Sequence, residues 1–156
     1  ADEAFENLPN QKLESVHLAE FPQVSSADDS QLMANWERIF SIRDVVLKKL
    51  EEARNEKLIG SSLEAKVKLT IDEETFKFLK PYFIDLDAIF IVSQIAMKTS
   101  SDTESGYLEV EILRAEGQKC ERCWNYSERV GESERYPTAC ERCLEALSEI
   151  EKAMVA

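Results

Sequence analysis

The feature that most constrains this chain is a pair of Cys-x2-Cys turns, Cys120-x2-Cys123 and Cys140-x2-Cys143, separated by 16 residues. All four cysteines of the chain lie in them. Each turn can aim two thiolates at one ion while nearby backbone amides hydrogen-bond the sulfurs, and two such turns complete a tetrahedron. Zinc keeps the thiols deprotonated. Four protein sulfurs leave no position open for water or substrate, so the expected site holds one structural Zn2+. Three other readings compete with it. Disulfides need an oxidising compartment, which nothing in the sequence signals. A redox Cys-x-x-Cys belongs after a strand at a helix start, and the two-pair symmetry does not suit it. Iron uses the same four ligands, and spacing does not distinguish it from zinc.

The cysteine segment spans about forty residues, 117–156, too few to bury much core. The metal is therefore expected to hold it together. Trp124 directly follows a ligand. From the residues alone the favoured reading is a ring packed over the knuckle; the sharper one is an exposed ring that stacks on a base. Arg122 lies inside the first turn, from which it can reach phosphate or a base edge. Cys140 and Cys143 open an expected helix with Leu144, Leu147 and Ile150 on one face.

Charge gives no broad nucleic-acid footprint, since the formal net charge is −12 and phosphate binding depends on clustered Lys and Arg. The distribution is uneven. Residues 1–60 carry −5, residues 61–116 carry −5 and residues 117–156 only −2. Four of the six bases in the last segment are Arg122, Arg129, Arg135 and Arg142.

Upstream, residues 1–25 read as irregular, with a short alternating stretch at Ser15-Val16-His17-Leu18. His17 has no sequence-local partner and is expected to be structural. Ser26-Ala27-Asp28-Asp29 offers a helix start. Leu32, Trp36, Ile39, Val46, Leu50 and Ala53 then follow the helical period. Gly60 is the expected left-handed cap. A helix over 28–58 would be about 45 Å long, long enough to raise the question of what covers its stripe, a missing part of a longer protein or a second copy.

Residues 61–116 predict a small sheet with one covering helix. Leu63 to Ile71 alternates as a half-buried strand. Asp72 caps a short helix that Pro81 stops. Ala88 to Met97 reads as a second strand, central because Ile89-Phe90-Ile91-Val92 is apolar on both faces. Residues 100–106 are a turn, and Tyr107 to Arg114 alternates again. The expected class is α+β: a long N-terminal helix, a small mainly antiparallel sheet with a covering helix, and a C-terminal four-cysteine zinc knuckle or ribbon. No run of about 18 apolar residues exists, and the acidic start at Ala1-Asp2-Glu3-Ala4 has no secretory pattern. The start lacks an initiator Met, which suggests a processed chain or a piece of a larger one.

Several blocks together resemble a known family. They are Ser15-Val16-His17-Leu18-Ala19-Glu20-Phe21-Pro22, Trp36-Glu37, Ile42-Arg43-Asp44-Val45-Val46, and Leu50 through Lys57-Leu58-Ile59-Gly60-Ser61-Ser62-Leu63-Glu64-Ala65. The last are Cys120-Glu121-Arg122-Cys123-Trp124 and Cys140-Glu141-Arg142-Cys143. The chain resembles, over essentially its whole length, the C-terminal end of bacterial-type isoleucyl-tRNA synthetases. Formamidopyrimidine-DNA glycosylases end in a similar knuckle, but the long helix and the sheet do not belong to them. The resemblance implies three parts. Residues 1–60 would end a helical anticodon-binding domain, 61–116 would be a junction domain, and 117–156 a zinc domain contacting the anticodon loop of isoleucine tRNA.

The resemblance makes the four cysteines the zinc ligands. It also places Arg122 and Trp124 where the family's anticodon-contacting arginine and tryptophan sit, which favours stacking for Trp124. The family often has His-Pro before the third cysteine, and here Tyr136-Pro137 stands there. No HIGH-like or KMSKS-like segment is present. ATP would therefore act only through a catalytic domain outside this chain, and the chain alone is expected to be non-catalytic. Its expected partners are isoleucine tRNA and the remainder of the synthetase, in the cytoplasm, with no membrane and no DNA. The alternative is a zinc-stapled module that binds protein.

Overall fold

A computed structural model describes residues 2–9, 13–21, 29–100 and 105–155. The expected helix start at Ser26-Ala27-Asp28 and most of the 100–106 turn lie outside these residues. The chain forms two compact units, residues 1–33 and residues 34–156.

The first unit holds helix α1 (Asp2–Glu6) and a 3₁₀ turn at Val16–Leu18. One carboxylate oxygen joins them. Asp2 Oδ1 accepts from Ser15 Oγ at 2.8 Å and from the Val16 N–H at 2.9 Å. The alternating residues 15–18 are therefore a turn rather than extended chain. His17 is exposed, and its backbone N–H donates to Ser15 Oγ at 3.2 Å.

Helix α2 (Ser30–Asn55) follows the predicted stripe from Ile39 onward, where Ile39, Ile42, Val46, Leu50 and Ala53 are buried. Leu32 is exposed, so the stripe does not extend to the start of the helix. The helix ends in paired bonds, Lys57 N–H to Arg54 O at 3.0 Å and Leu58 N–H to Ala53 O at 2.9 Å. This is a Schellman cap, and its left-handed residue is Lys57, at φ 61°. Gly60 is not the cap. Its N–H donates to Glu64 Oε2 at 2.9 Å.

The sheet that α2 packs on has three strands, β1 (Ala65–Ile71), β2 (Gln94–Thr99) and β3 (Leu108–Arg114), in the order β2-β1-β3. Strand β1 pairs parallel with β2 and antiparallel with β3, so Leu69 lies opposite both Met97 and Val110. The sheet is thus mixed. Alternation is as expected: Ala65, Val67, Leu69 and Ile71 are buried against α2, α3 (Glu73–Leu79) and α4 (Leu86–Phe90). Lys66 and Lys68 face the other way and pair with Glu116 and Glu111, each at 2.7 Å. Asp72 caps α3 as predicted, accepting from Thr75 N–H at 3.0 Å and Thr75 Oγ1 at 2.7 Å. It also accepts from the Gly106 N–H at 3.1 Å, which ties the loop before β3 to the helix start.

Residues 88–97 differ from the sequence reading. The apolar run does not form a central strand. Leu86–Phe90 is helical and closes with Ile91 N–H to Ala88 O at 3.3 Å and Val92 N–H to Asp87 O at 2.9 Å. Ile91 holds the left-handed position at φ 58°. Strand β2 begins only at Gln94 and lies at the edge, and the central strand is β1. The reason is topological. Two parallel neighbours need a crossover connection, and the chain from α3 through a 3₁₀ segment (Lys80–Asp85) and α4 supplies it. Phe90 is fully buried as part of that crossover.

A β-branched residue at positive φ is strained. Ile91 is 53% exposed, so it gains little from burial. Ile91→Gly is expected to raise unfolding free energy by about 1 kcal/mol, measured by denaturant titration of the zinc-loaded protein. A loss of stability would show that side-chain contacts of Ile91 outweigh its backbone strain.

Candidate metal centre and its rim

The knuckle is built on two short strands, β4 (Gln118–Lys119) and β5 (Tyr126–Ser127), with Lys119 opposite Tyr126. Between them the chain makes a tight turn. Cys120 N–H donates to Asn125 O at 2.8 Å, and Trp124 N–H donates to Cys120 O at 2.9 Å. The second Cys-x2-Cys turn leads into helix α5 (Glu141–Val155), with Leu144 N–H bonded to Cys140 O at 3.0 Å. Glu121 N–H donates to Thr138 O at 3.0 Å and joins the two turns.

All four Sγ atoms lie within 4.8 Å of one another. Cys120 and Cys143 are 3.8 Å apart, Cys123 and Cys140 3.6 Å. Zinc bound tetrahedrally at about 2.3 Å from each sulfur sets neighbouring sulfurs about 3.8 Å apart, so the set fits that ion. A disulfide needs about 2 Å, and the four cysteines are free. Cys120, Cys140 and Cys143 are buried and Cys123 is partly exposed.

The thiols differ in how readily they ionise. Burial opposes ionisation of Cys120, but amides of Cys123, Cys140 and Arg122 aimed at its sulfur bring its pKa down to about 6. The Cys140 N–H is 3.3 Å from that sulfur. Burial pushes Cys140 up to about 12 and raises Cys123 as well. The protein alone therefore favours the thiolate at Cys120, and a divalent cation is needed to strip the protons from Cys123 and Cys140.

Little else fills this unit. Val130 and Ala139 are buried with the cysteines, and Tyr136 and Leu144 pack beside them. The Tyr136 hydroxyl donates to Glu151 Oε1 on α5, and Arg135 pairs with the other oxygen of that carboxylate at 2.7 Å. Tyr136 thus fastens the knuckle to its helix. Ile150, expected on the inner face of α5, is 49% exposed.

Trp124 does not join this small core. It is 61% exposed, and its backbone sits at φ 67°. The packed reading of the ring is therefore wrong, because the Cys120–Trp124 bond turns the chain left-handed and swings the side chain outward. Lys119 Nζ lies 5.4 Å from the ring centroid. Arg122 is exposed, yet its guanidinium folds back so that Nη1 donates to Cys143 Sγ at 3.6 Å. Of the other arginines, Arg129 pairs with Glu132 at 2.9 Å and Arg142 lines a cavity of about 160 Å³ with Asp87, Ile91 and Asn125. Sequence reasoning singled out the arginines and missed Lys119, although its place beside a ligand was a usable signal.

The knuckle is docked on the sheet. Ser93 Oγ accepts from the Tyr126 N–H at 2.7 Å and donates to Leu63 O at 2.5 Å. Gln94 bonds the backbone of Glu116 twice, at 3.0 Å and 2.9 Å. Gly117 follows at φ 86°, where a Cβ would lie 2.3 Å from the Ser127 backbone.

A knuckle with these features is a zinc-binding module. Residues 117–146 match the family described as the zinc finger found in FPG and IleRS, which together with the clustered cysteines supports zinc as the ion. Outside that segment the likeness continues. The chain is 42% identical over 151 residues to the isoleucine–tRNA ligase of Staphylococcus epidermidis. It is 40% identical over 152 residues to that of Exiguobacterium sibiricum and 38% over 151 to isoleucine–tRNA ligase 1 of Oceanobacillus iheyensis. These matches cover 94–96% of this chain but only 16–17% of each relative. The chain is thus similar to the C-terminal region of bacterial isoleucyl-tRNA synthetases, as its sequence blocks led one to expect, and spans a small fragment of them.

Two outcomes follow. Because Cys123 and Cys140 hold their protons in the metal-free knuckle, zinc uptake at pH 7 should release about two protons or more. Calorimetry in buffers of different ionisation enthalpy measures this, and release below one would contradict the assignment. Gly117→Ala should weaken zinc retention against a competing chelator by tenfold or more, on the order of 1–3 kcal/mol of strain and clash, while Gly106→Ala, also at positive φ but with nothing within 4 Å of the added Cβ, controls for backbone strain without the clash.

Proposed function

We propose that this chain is a tRNA-recognition appendage of an isoleucine–tRNA ligase. Cys120, Cys123, Cys140 and Cys143 hold one structural zinc ion, and the knuckle presents Trp124 and Arg122 to the anticodon loop of isoleucine tRNA. The observation that carries the reading is Trp124. A large aromatic ring is held out in solvent by a strained backbone directly beside a metal ligand. Exposed aromatics on rigid supports are the usual means of stacking on unpaired bases. Arg122 suits a supporting part. Its guanidinium has five donors, and Nη1 supplies the bond to Cys143. Its charge also offsets the net −2 of four thiolates and one zinc ion.

The zinc ion, when bound, supplies no reaction chemistry, since four sulfurs fill its coordination shell. Residues 1–60 read best as the end of the anticodon-binding helical domain, and residues 61–116 as the junction that seats the knuckle. Aminoacylation belongs to a catalytic domain elsewhere in the enzyme, and the setting is the cytoplasm.

The test uses the full-length enzyme. Trp124→Ala should lower kcat/KM for tRNA charging about tenfold, with on the order of 1–3 kcal/mol lost per unstacked base. Isoleucine-dependent pyrophosphate exchange should stay unchanged and zinc content full. Equal loss in both reactions would mean general damage to the fold and would overturn the reading.

A further inference from the structure

The knuckle has an unusual charge arrangement for a surface that meets RNA. The chain carries −12 overall, and most arginines of the knuckle are engaged. Arg129 and Arg135 are paired with Glu132 and Glu151, and Arg122 leans on Cys143. Lys119 differs. It is exposed, and among the described residues no carboxylate lies within ion-pair distance of it. Its ammonium instead lies 5.4 Å from the Trp124 ring centroid. That contact has two consequences. An ammonium over an indole face restrains the ring's rotation. It also sits over one face of a ring that is 61% exposed overall, which gives a flat ligand room to stack.

The backbone fixes this pairing. Lys119 is the last residue of β4, held opposite Tyr126 on β5. Trp124 is tied to Cys120 by a 2.9 Å backbone bond. The two side chains thus leave opposite ends of one six-residue segment that holds Cys120 and Cys123. Their separation does not depend on long-range packing.

We infer that Lys119 and Trp124 form one nucleotide-binding unit, in which a base of single-stranded RNA stacks on the free face of Trp124 and the Lys119 ammonium takes a phosphate of the same stretch of backbone. This rests on the reading of Trp124 given above and adds a residue that it does not include. The unit reconciles an acidic protein with a polyanionic ligand, because one unpaired cation stands at the point of contact.

The two contacts have different signatures. A phosphate contact releases counterions, so removing it lowers the salt dependence of binding; stacking on a base does not. Binding of the zinc-loaded chain to an isoleucine tRNA transcript is measured by anisotropy over a range of salt concentrations. Zinc stoichiometry is checked for every variant. Lys119→Gln should reduce the slope of log K against log salt by about 0.7 and weaken binding about fivefold near 0.1 M salt. Lys119→Arg should restore the slope. Trp124→Ala should weaken binding about tenfold with the slope changed only slightly. If Trp124→Ala weakens binding but Lys119→Gln leaves the slope intact, the unit is wrong and the reading of Trp124 stands. If the wild-type chain does not bind, or Trp124→Ala has no effect, both fall.

Discussion

The functional end of the molecule depends on four sulfur atoms brought within 4.8 Å of one another. Among the described residues, only Val130 and Ala139 are buried in this cluster besides three of the cysteines. So small a core cannot offset the conformational entropy of ordering the surrounding chain. Zinc bound at this site would do so, because bonds to the metal replace the apolar contacts that the segment lacks. Arg122 completes the electrostatics by placing a cation against Cys143, where the cluster would otherwise carry excess negative charge.

A rigid knuckle is of use only if it is held in a fixed orientation. Ser93 serves as a hub, with one hydroxyl bonded to the Tyr126 N–H and to the Leu63 carbonyl. Gln94 clamps the backbone at Glu116, and Gly117 lets the chain turn where a side chain would strike Ser127. These residues sit at the start of β2 and just after β3, so the three-stranded sheet positions the knuckle. The sheet in turn is seated on α2 through one apolar cluster running from Ile39 to Val92. Metal turn, docking loop, sheet and helix thus form one load path ending at Trp124.

Several parts of this were legible in the residues. The stripe of α2, the alternation of β1 and β3, and the Asp72 cap follow local periodicity and turn chemistry, which act over a few residues. The failures share a cause. Ile89-Phe90-Ile91-Val92 has strand-like composition, yet parallel pairing of β1 with β2 demands a helical crossover there. Lys57 takes a left-handed position with a glycine three residues away, because the length of the α2 stripe, not the nearest glycine, sets where the helix must end. At the site, the identity of the rim residues was legible but their direction was not. Arg122 turns inward to a sulfur, and the contact of Lys119 with the Trp124 ring is spatial, with no residue pattern that records it.

By itself the sequence predicted the cluster of four cysteines that the structure brings together. Ligand type and spacing predict it, because each Cys-x2-Cys turn is a local structure and the chain has only four thiols to fill one tetrahedron. It also determined the resemblance to the end of isoleucyl-tRNA synthetases, since whole blocks of residues carry it. Only the tertiary structure decided that Trp124 stands in solvent rather than in the knuckle core, with Lys119 at its face. That outcome depends on a left-handed residue and a β4–β5 pairing, and on a core already filled by Cys120, Val130 and Ala139. A ring that large is excluded from so small a core by volume, and no local pattern records the volume that remains.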